Sequence, residues 1–556
     1  MSESTIWQNK SAYGDRSVRV LITRTSPNLV YIILQPKLNV STVLLMSLVN
    51  FEVQQPYITP GQTHLKYKNP LIARVLAFFN LAYFFIKILA QQGFQKSRAF
   101  ALYITPSQLL LAMDKVIPSQ TITNAIISTS SVGQRQRILP THVVVVLVIA
   151  MSFWSSDSIV SVFKNLIHGF ASLRIPELIR FKTPTSSSIT EARQRTGASV
   201  MTRLFEMVAK PLATPLTPGA FLGGLRIMAV DGTVMDIPET QENARVFGYP
   251  GSRPGTYPAF PKARLVFLVE AGTHLITDAF ISPYRIGERK GALKLLRSVS
   301  DGMLLMWDRG LHSFKMVNAA IKQKCHILGR VPAHVKFEVV QTFDDGSYLS
   351  WIGPDGQSKK KGATRIPIRV IEYVVEENGI EKVYRLITDL MDITIFPALL
   401  LATEYHQRWE AENTLDELKV HLLGRKTLIR SKNPREVVQE IYDWLLGHYC
   451  IRCLMFQSAE KVGLSPLRLS FTGSLRVVRR AIPLFQIAIE MFPDINVFFS
   501  WLISEIKDLK IPPPQHRSNP RVVKKTRSKF PSKKRCHRNN GTPRQLLSFQ
   551  IFRKAS

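Results

Sequence analysis

The chain has 556 residues, 45% of them hydrophobic, which agrees with a folded protein of about two to four domains and excludes a disordered or fibrous class. Lys and Arg total 73 against 40 Asp and Glu, a formal net charge of +33, so a polyanionic partner is expected, nucleic acid first and an anionic membrane second. Its four cysteines, Cys325, Cys450, Cys453 and Cys536, are too few and scattered for a disulfide framework, and they predict a reducing compartment. Cys450-Ile-Arg-Cys453 has redox or zinc-like spacing, but no second ligand pair accompanies it and it falls in an apolar helical run, which favours buried thiols.

No basic segment followed by an apolar run and a cleavage site opens the chain, so no signal peptide is assigned. Residues 1–97 mix polar and apolar patches without clear periodicity and form an unassigned N-terminal extension. Two apolar stretches, Val75 to Ile86 and Val143 to Trp154, fall short of the roughly 20 residues of a membrane span and predict buried helices.

Residues 98–210 predict a helical N-terminal domain suited to binding DNA. Thr105-Pro106 caps a helix carrying Leu109, Leu110, Met113 and Val116; Pro118-Ser119 starts another, and Pro140-Thr141 a third. Ser188-Ile189-Thr190-Glu191 reads as a capping box opening a helix that breaks at Gly197 before a second helix. With Arg193, Arg195 and Arg203 on it, the pair is either a helix-turn-helix that reads DNA or a plain helical hairpin.

A Pro- and Gly-rich linker, 211–224, precedes a change to strands. Expected strands are Leu225 to Val230, Arg264 to Glu270, His274 to Ile281, Met303 to Trp307 and His326 to Leu328, with helices Lys290 to Val299 and Phe314 to Lys324 between the later ones. That succession, over 225–330, predicts a mixed sheet covered by helices. Residues 331–392 alternate without helices and carry the turn pairs Asp345-Gly346, Asp355-Gly356 and Asn378-Gly379, the pattern of a β-rich insertion. Helices resume over 393–510, broken near Asn433-Pro434 and Gly463 to Pro466. The tail, 511–556, holds thirteen Lys or Arg and no acidic residue, and is expected to be disordered and drawn to phosphates.

The stretch from Tyr405 to Lys419 stands out. Wound at 3.6 residues per turn, it projects Tyr405, Arg408, Glu412 and Lys419 from one face, polar where a core helix is apolar. A carboxylate flanked by cations and a phenol suits a site holding a divalent metal beside an anionic oxygen ester. Asp231 and Asp308 each follow a buried strand, and on neighbouring strands about 4.8 Å apart two such carboxylates can share one or two Mg²⁺ ions. With Glu412 they would form a phosphoryl-transfer site. Each piece has a plainer alternative: an Asp ahead of Gly shapes turns, and Arg408 with Glu412 has the spacing of a surface ion pair. Asp236, Asp301, Glu410, Asp416 and Glu417 compete by type. Their conjunction in a very basic chain favours the metal site.

On these residues, namely Val230-Asp231-Gly232-Thr233, Asp308-Arg309-Gly310 and above all the Tyr-x2-Arg-x3-Glu-x6-Lys pattern of Tyr405, Arg408, Glu412 and Lys419, the chain resembles the DDE transposases of bacterial insertion sequences, in the family named after insertion sequence 4. The resemblance covers about residues 100–475, from Ile104-Thr105-Pro106 and Trp154-Ser155-Ser156-Asp157 onward. It implies an α/β fold: a ribonuclease H-like mixed-sheet catalytic core with a β-rich insertion, preceded by an α-helical N-terminal domain. It further implies a cytoplasmic, nucleoid-associated bacterial enzyme, with no membrane partner, acting on double-stranded DNA as a homodimer or higher oligomer. Such an enzyme binds the terminal inverted repeats of its element, cleaves the ends and joins the 3′-hydroxyls to target DNA with Mg²⁺, for which Mn²⁺ can substitute. By position Asp231, Asp308 and Glu412 would be the metal ligands, and Tyr405, Arg408 and Lys419 would contact phosphates. Trp409 would hold a displaced base by stacking, with core packing as its plainer role. The rival readings are a metal-dependent nuclease without strand transfer and a catalytically dead DNA-binding derivative. Residues 1–97 and the basic tail depart from the family pattern.

Overall fold

The computed structural model describes residues 109–512, apart from 110, 132–138, 170–182, 251–259, 357–361, 363, 378–379, 425–428 and 492–493, together with the backbone of five short strands nearer the termini. The chain divides into two units, residues 1–94 and 95–556. In the first, β1 (Ser4–Gln8), β2 (Arg19–Ser26), β3 (Leu29–Gln35) and β4 (Thr42–Ser47) pair antiparallel in sequential order. The runs Leu-Val-Tyr-Ile-Ile-Leu-Gln and Thr-Val-Leu-Leu-Met-Ser have the β-branched, aromatic and aliphatic content of strands although their periodicity is blurred. The apolar stretch from Val75 and the Thr105-Pro106 cap lie outside the described residues.

The second unit opens with α1 (Ser119–Ser128), α2 (Thr141–Phe153), α3 (Ile159–Leu166), α4 (Ser186–Thr196) and α5 (Ser199–Val208). Then come β5 (Phe221–Leu222), β6 (Leu225–Asp236), α6 (Gln241–Phe247), β7 (Lys262–Glu270), β8 (Leu275–Pro283), α7 (Glu288–Leu295), β9 (Met303–Trp307), α8 (Phe314–Lys322) and β10 (His326–Arg330). Strands β11 (Gln341–Thr342), β12 (Tyr348–Ile352), β13 (Ile366–Glu377) and β14 (Ile380–Thr388) follow. The remainder is α9 (Ala398–Tyr405), α10 (Trp409–Asp416), α11 (Pro434–Glu460), α12 (Phe471–Met491), α13 (Asn496–Lys507) and β15 (Phe549–Ile551). The fold is mixed α/β. No helix among the described residues is long and apolar enough to cross a membrane.

One sheet organises this unit, in the order β11-β12-β13-β14-β10-β9-β6-β7-β8. Strands β6, β7 and β8 form an antiparallel meander, and β9 and β10 add in parallel on the other side of β6. The strand-only stretch does not stand apart as its own sheet: β14 pairs antiparallel with β10, so the insertion lengthens the core sheet. In the tail, β15 pairs antiparallel with β13, so these three residues are ordered where disorder was expected, while 513–548 lie outside the described residues.

Helix α2 is buried on every side from Val143 to Phe153, as an all-apolar helix must be, and it packs along α11. Cys450 and Cys453 lie buried and free within α11, and Cys325 is buried too; Cys536 lies outside the described residues. The α4–α5 break falls at Gly197, whose φ of 74° suits glycine. The cap, however, is Thr185, whose hydroxyl accepts the Ser188 N–H at 3.2 Å, so the expected box at Ser188 and Glu191 does not open this helix. Arg193 is also not a surface cation. It is buried against α11, its Nε donating to Gln439 Oε1 at 3.1 Å and its Nη2 to Ser431 Oγ and the Glu436 carbonyl, both at 3.1 Å. The guanidinium therefore fastens the helical region to the core. Replacing Arg193 with Ala removes this cation from among buried acceptors and is expected to cost about 2–4 kcal/mol in equilibrium chemical denaturation.

Candidate active site

The β6–β9 pairing runs in parallel register from Arg226↔Met303 to Val230↔Trp307 and stops there. The next residues are Asp231 and Asp308, so both leave the same edge of the sheet where two adjacent strands part. The expectation that β6 ends at Val230 needs correction. Its backbone stays extended to Asp236 because β7 keeps pairing with it, through Asp231↔Phe267 and Gly232↔Val266. Asp308 does begin a turn, its Oδ1 accepting the Gly310 N–H at 2.9 Å. Ahead of it Trp307 is fully buried, and Gly329 stands opposite on β10 because any Cβ there would overlap the indole.

The polar stretch is not one regular helix. After α9, residues His406–Arg408 form a 3-10 turn, and after α10 residues Glu417–Leu422 form a π turn. The pattern residues still converge on the place where β6 and β9 part. Tyr405 is buried and its hydroxyl donates to the Trp307 carbonyl at 3.2 Å, so it braces the strand end and does not face outward. Arg408 lies between two of the expected ligands, Nη2 at 2.8 Å from Glu412 Oε1 and Nη1 at 3.6 Å from Asp231 Oδ2. The ion pair with Glu412, the plainer alternative, is thus formed, and it is inward, with the Arg408 side chain 13% exposed. Lys419 donates to the Thr233 hydroxyl, two residues beyond Asp231. Trp409 is 51% exposed, which removes core packing as its role.

Burial raises the pKa of Asp231 to about 6; the Gly232 N–H and Arg408 oppose the rise, and the negative charges of Glu412 and Asp308 add to it. The three carboxylates therefore share one electrostatic neighbourhood. Burial works against the charge of Arg408, but Tyr405, Glu412 and Asp231 more than offset it and hold its pKa above the ordinary value. Lys419 is lowered by burial, with Asp231 and Asp236 opposing. Carboxylate oxygens are the donors that Mg²⁺ or Mn²⁺ takes, and the Arg408 guanidinium holds positive charge between two of the carboxylates. The donor set therefore fits a hard divalent cation in type. Among the described residues no three ligating side chains already stand close enough together to enclose one.

Other contacts fix the Tyr405–Lys419 stretch from behind. His274, at the β7–β8 turn, places Nε2 2.7 Å from Glu410 Oε2 and Nδ1 2.9 Å from Glu417 Oε1. Glu417 also accepts from Arg452 Nε at 2.8 Å and meets His448 Nε2 at 3.2 Å. Tyr373 and Tyr384 of the β13–β14 hairpin stack at 5.4 Å and both face His406 in the 3-10 turn. The competing carboxylates are thereby accounted for. Glu410 and Glu417 belong to the His274 network, Asp236 pairs with Lys262, Asp416 meets His421 at 3.3 Å, and Asp301 turns onto the Gly302 N–H at 2.8 Å.

One carboxylate at the site escaped the sequence reading. Glu288, the first residue of α7, rests against Gly232, and Asp308 is among the charges it feels. The expected start at Lys290 left it outside the helix; the Gly287-Glu288 pair, with an acidic residue in the first turn, was the available signal.

Residues 107–206 match the family described as insertion element 4 transposase N-terminal, and residues 222–444 match the transposase DDE domain. The chain belongs to the insertion element 4 family of DDE transposases. Transposase InsG for insertion sequence element IS4, from Escherichia coli (strain K12), is 27% identical over 435 residues, which is 76% of this chain and 94% of that protein. A second protein of the same strain, InsZ, is 27% identical over 147 residues, 26% of this chain and 49% of its own length. A solved synaptic complex of piggyBac transposase with hairpin DNA aligns over 73% of this chain and 86% of its own at 10% identity, with a TM-score of 0.34, too slight a likeness to build on.

The raised pKa of Asp231 has a signed consequence. The folded protein holds this proton more tightly than the unfolded chain, so the contribution of Asp231 to stability falls as pH rises from about 4 through about 6. In metal-free buffer, Asp231→Asn is expected to match the wild type near pH 4 and to exceed it by on the order of 2 kcal/mol at pH 7.5, measured by urea denaturation at both pH values.

Proposed function

We propose that this transposase binds the terminal inverted repeats of its insertion sequence as a homodimer or higher oligomer, cleaves the ends, and joins the freed 3′-hydroxyls to target DNA by Mg²⁺-dependent phosphoryl transfer. The observation that carries this reading is the position of Asp231 and Asp308 just past the point where two parallel strands stop pairing, with Glu412 joined to Asp231 through a common Arg408. The order β8-β7-β6-β9-β10, an antiparallel meander extended by two parallel strands, supports a ribonuclease H-like core. The net charge of +33 supports a DNA partner.

In this reading Asp231, Asp308 and Glu412 would hold the divalent ions, which when bound supply an activated water or 3′-hydroxyl and stabilise the leaving oxygen of the phosphodiester. The chain's own groups do the rest. Tyr405 holds the Trp307 carbonyl and thereby the start of the turn that carries Asp308. Arg408 exchanges a carboxylate for a phosphate oxygen when the element end arrives, a bidentate geometry that guanidinium favours. Lys419 adds a second cation beside Thr233, and the exposed Trp409 offers a face on which an unpaired base can stack.

Incubating intact element ends, and in parallel pre-cleaved 3′-hydroxyl ends, with a target plasmid in Mg²⁺ tests the proposal. The wild type is expected to give joined product, and Asp308→Ala to lose on the order of 10³-fold or more in rate while still retarding end DNA in a gel. Cleavage without joining would assign a nuclease instead, and end binding without cleavage in either Mg²⁺ or Mn²⁺ a DNA-binding derivative. Full activity in Asp308→Ala would overturn the site.

A further inference from the structure

Gly232 follows Asp231 in a strand, not in a turn, and it has a partner that explains the missing side chain. An ideal Cβ at this position falls 2.8 Å from Glu288 Cδ and within overlap of Oε1, so the Glu288 carboxylate rests on the β6 backbone one residue past Asp231. Any side chain at 232 would expel it. Helix α7 packs against β6 and β7 and delivers Glu288 to this spot from its first turn.

The carboxylate is weakly compensated there. Its ion-pair partner, Arg264, has Nη1 3.9 Å from Oε2, beyond hydrogen-bond reach. The Arg264 guanidinium instead lies over the Tyr284 ring, 5.0 Å from its centroid, with its Nε buried and unbonded. On the other side Asp308 adds like charge. A half-buried carboxylate that feels the charge of Asp308 and has so loose a partner costs free energy, which a shared cation offsets.

Resting on the reading of the site given above, we infer that Glu288 is a fourth carboxylate of the catalytic centre, directing an oxygen toward the divalent ion or its water shell on the Asp231–Asp308 side. The strand glycine at 232 is the space that admits it. Asp231 lies within β6, Asp308 directly follows β9, Glu412 is on α10 and Glu288 on α7, so the centre draws on four separate elements.

Binding of Mn²⁺ alone to the full chain, read from the free-ion electron paramagnetic resonance signal, tests this without relying on activity. Glu288→Gln is expected to weaken Mn²⁺ binding about tenfold, and Asp231→Asn to weaken it further. If Glu288→Gln binds as the wild type does while Asp231→Asn loses the ion, Glu288 is not part of the centre and the inference falls alone. If all three bind alike, or the wild type does not bind, the metal site itself falls. Should glutamine at 288 disturb folding by circular dichroism, Glu288→Asp, which withdraws the carboxylate by one methylene, is read against the same two outcomes.

Discussion

Where β9 ceases to pair with β6, after Val230↔Trp307, two strands that had run in register part, and an aspartate follows on each. Neighbouring strands are about 4.8 Å apart, so two carboxylates released at one register position begin close together and stay close only if something holds their charges. At an effective dielectric of about 20, two unit charges 4 Å apart interact by about 4 kcal/mol, enough to make the gap a position that demands a cation. Arg408 brings positive charge to the Asp231 side of this gap, where it reaches both Asp231 and Glu412. The surrounding structure makes sense as support for this gap.

That support comes from three directions. The core braces the strand end: Trp307 is buried against Gly329, and its carbonyl takes the Tyr405 hydroxyl. The β7–β8 turn reaches behind the Tyr405–Lys419 stretch with His274, which meets Glu410 and Glu417 from within the same network as Arg452. The insertion hairpin contributes Tyr373 and Tyr384 against His406. The inserted strands are therefore joined to the site twice, through the sheet at β10 and through the aromatic contacts at the 3-10 turn. Glu417, gripped by two histidines and an arginine, begins the π turn, which shifts Lys419 from where an ideal helix would carry it.

Legibility in the sequence followed the range of the forces involved. Met303 to Trp307 was readable to the residue, because a short apolar run bounded by Asp-Gly and Asp-Arg-Gly leaves little choice. The Tyr405 to Lys419 spacing was readable as a polar pattern, but its single outward helical face was not borne out, since the stretch breaks into 3-10, α and π pieces and Tyr405 turns inward. What could not be read depended on partners distant in sequence. The extension of β6 past Asp231 is imposed by β7, the burial of Arg193 by α11, and the inward turn of Tyr405 by a carbonyl 98 residues away. Glu288 was missed for the same reason. Nothing local marks Gly232 as the floor beneath a carboxylate from another element, and an Asp-Gly pair at a strand end suggests a turn.

If Asp231, Asp308 and Glu412 share one cation-binding centre, Arg408 must be displaced from it when the ion and an element end bind. Crystals of the full chain with an element end, soaked in Mn²⁺ and examined by anomalous diffraction, test this most directly. The expected result is manganese at about 2.0–2.3 Å from oxygens of Asp231, Asp308 and Glu412, with Arg408 moved onto a DNA phosphate. Manganese bound elsewhere, with Arg408 still on Asp231 and Glu412, would contradict it.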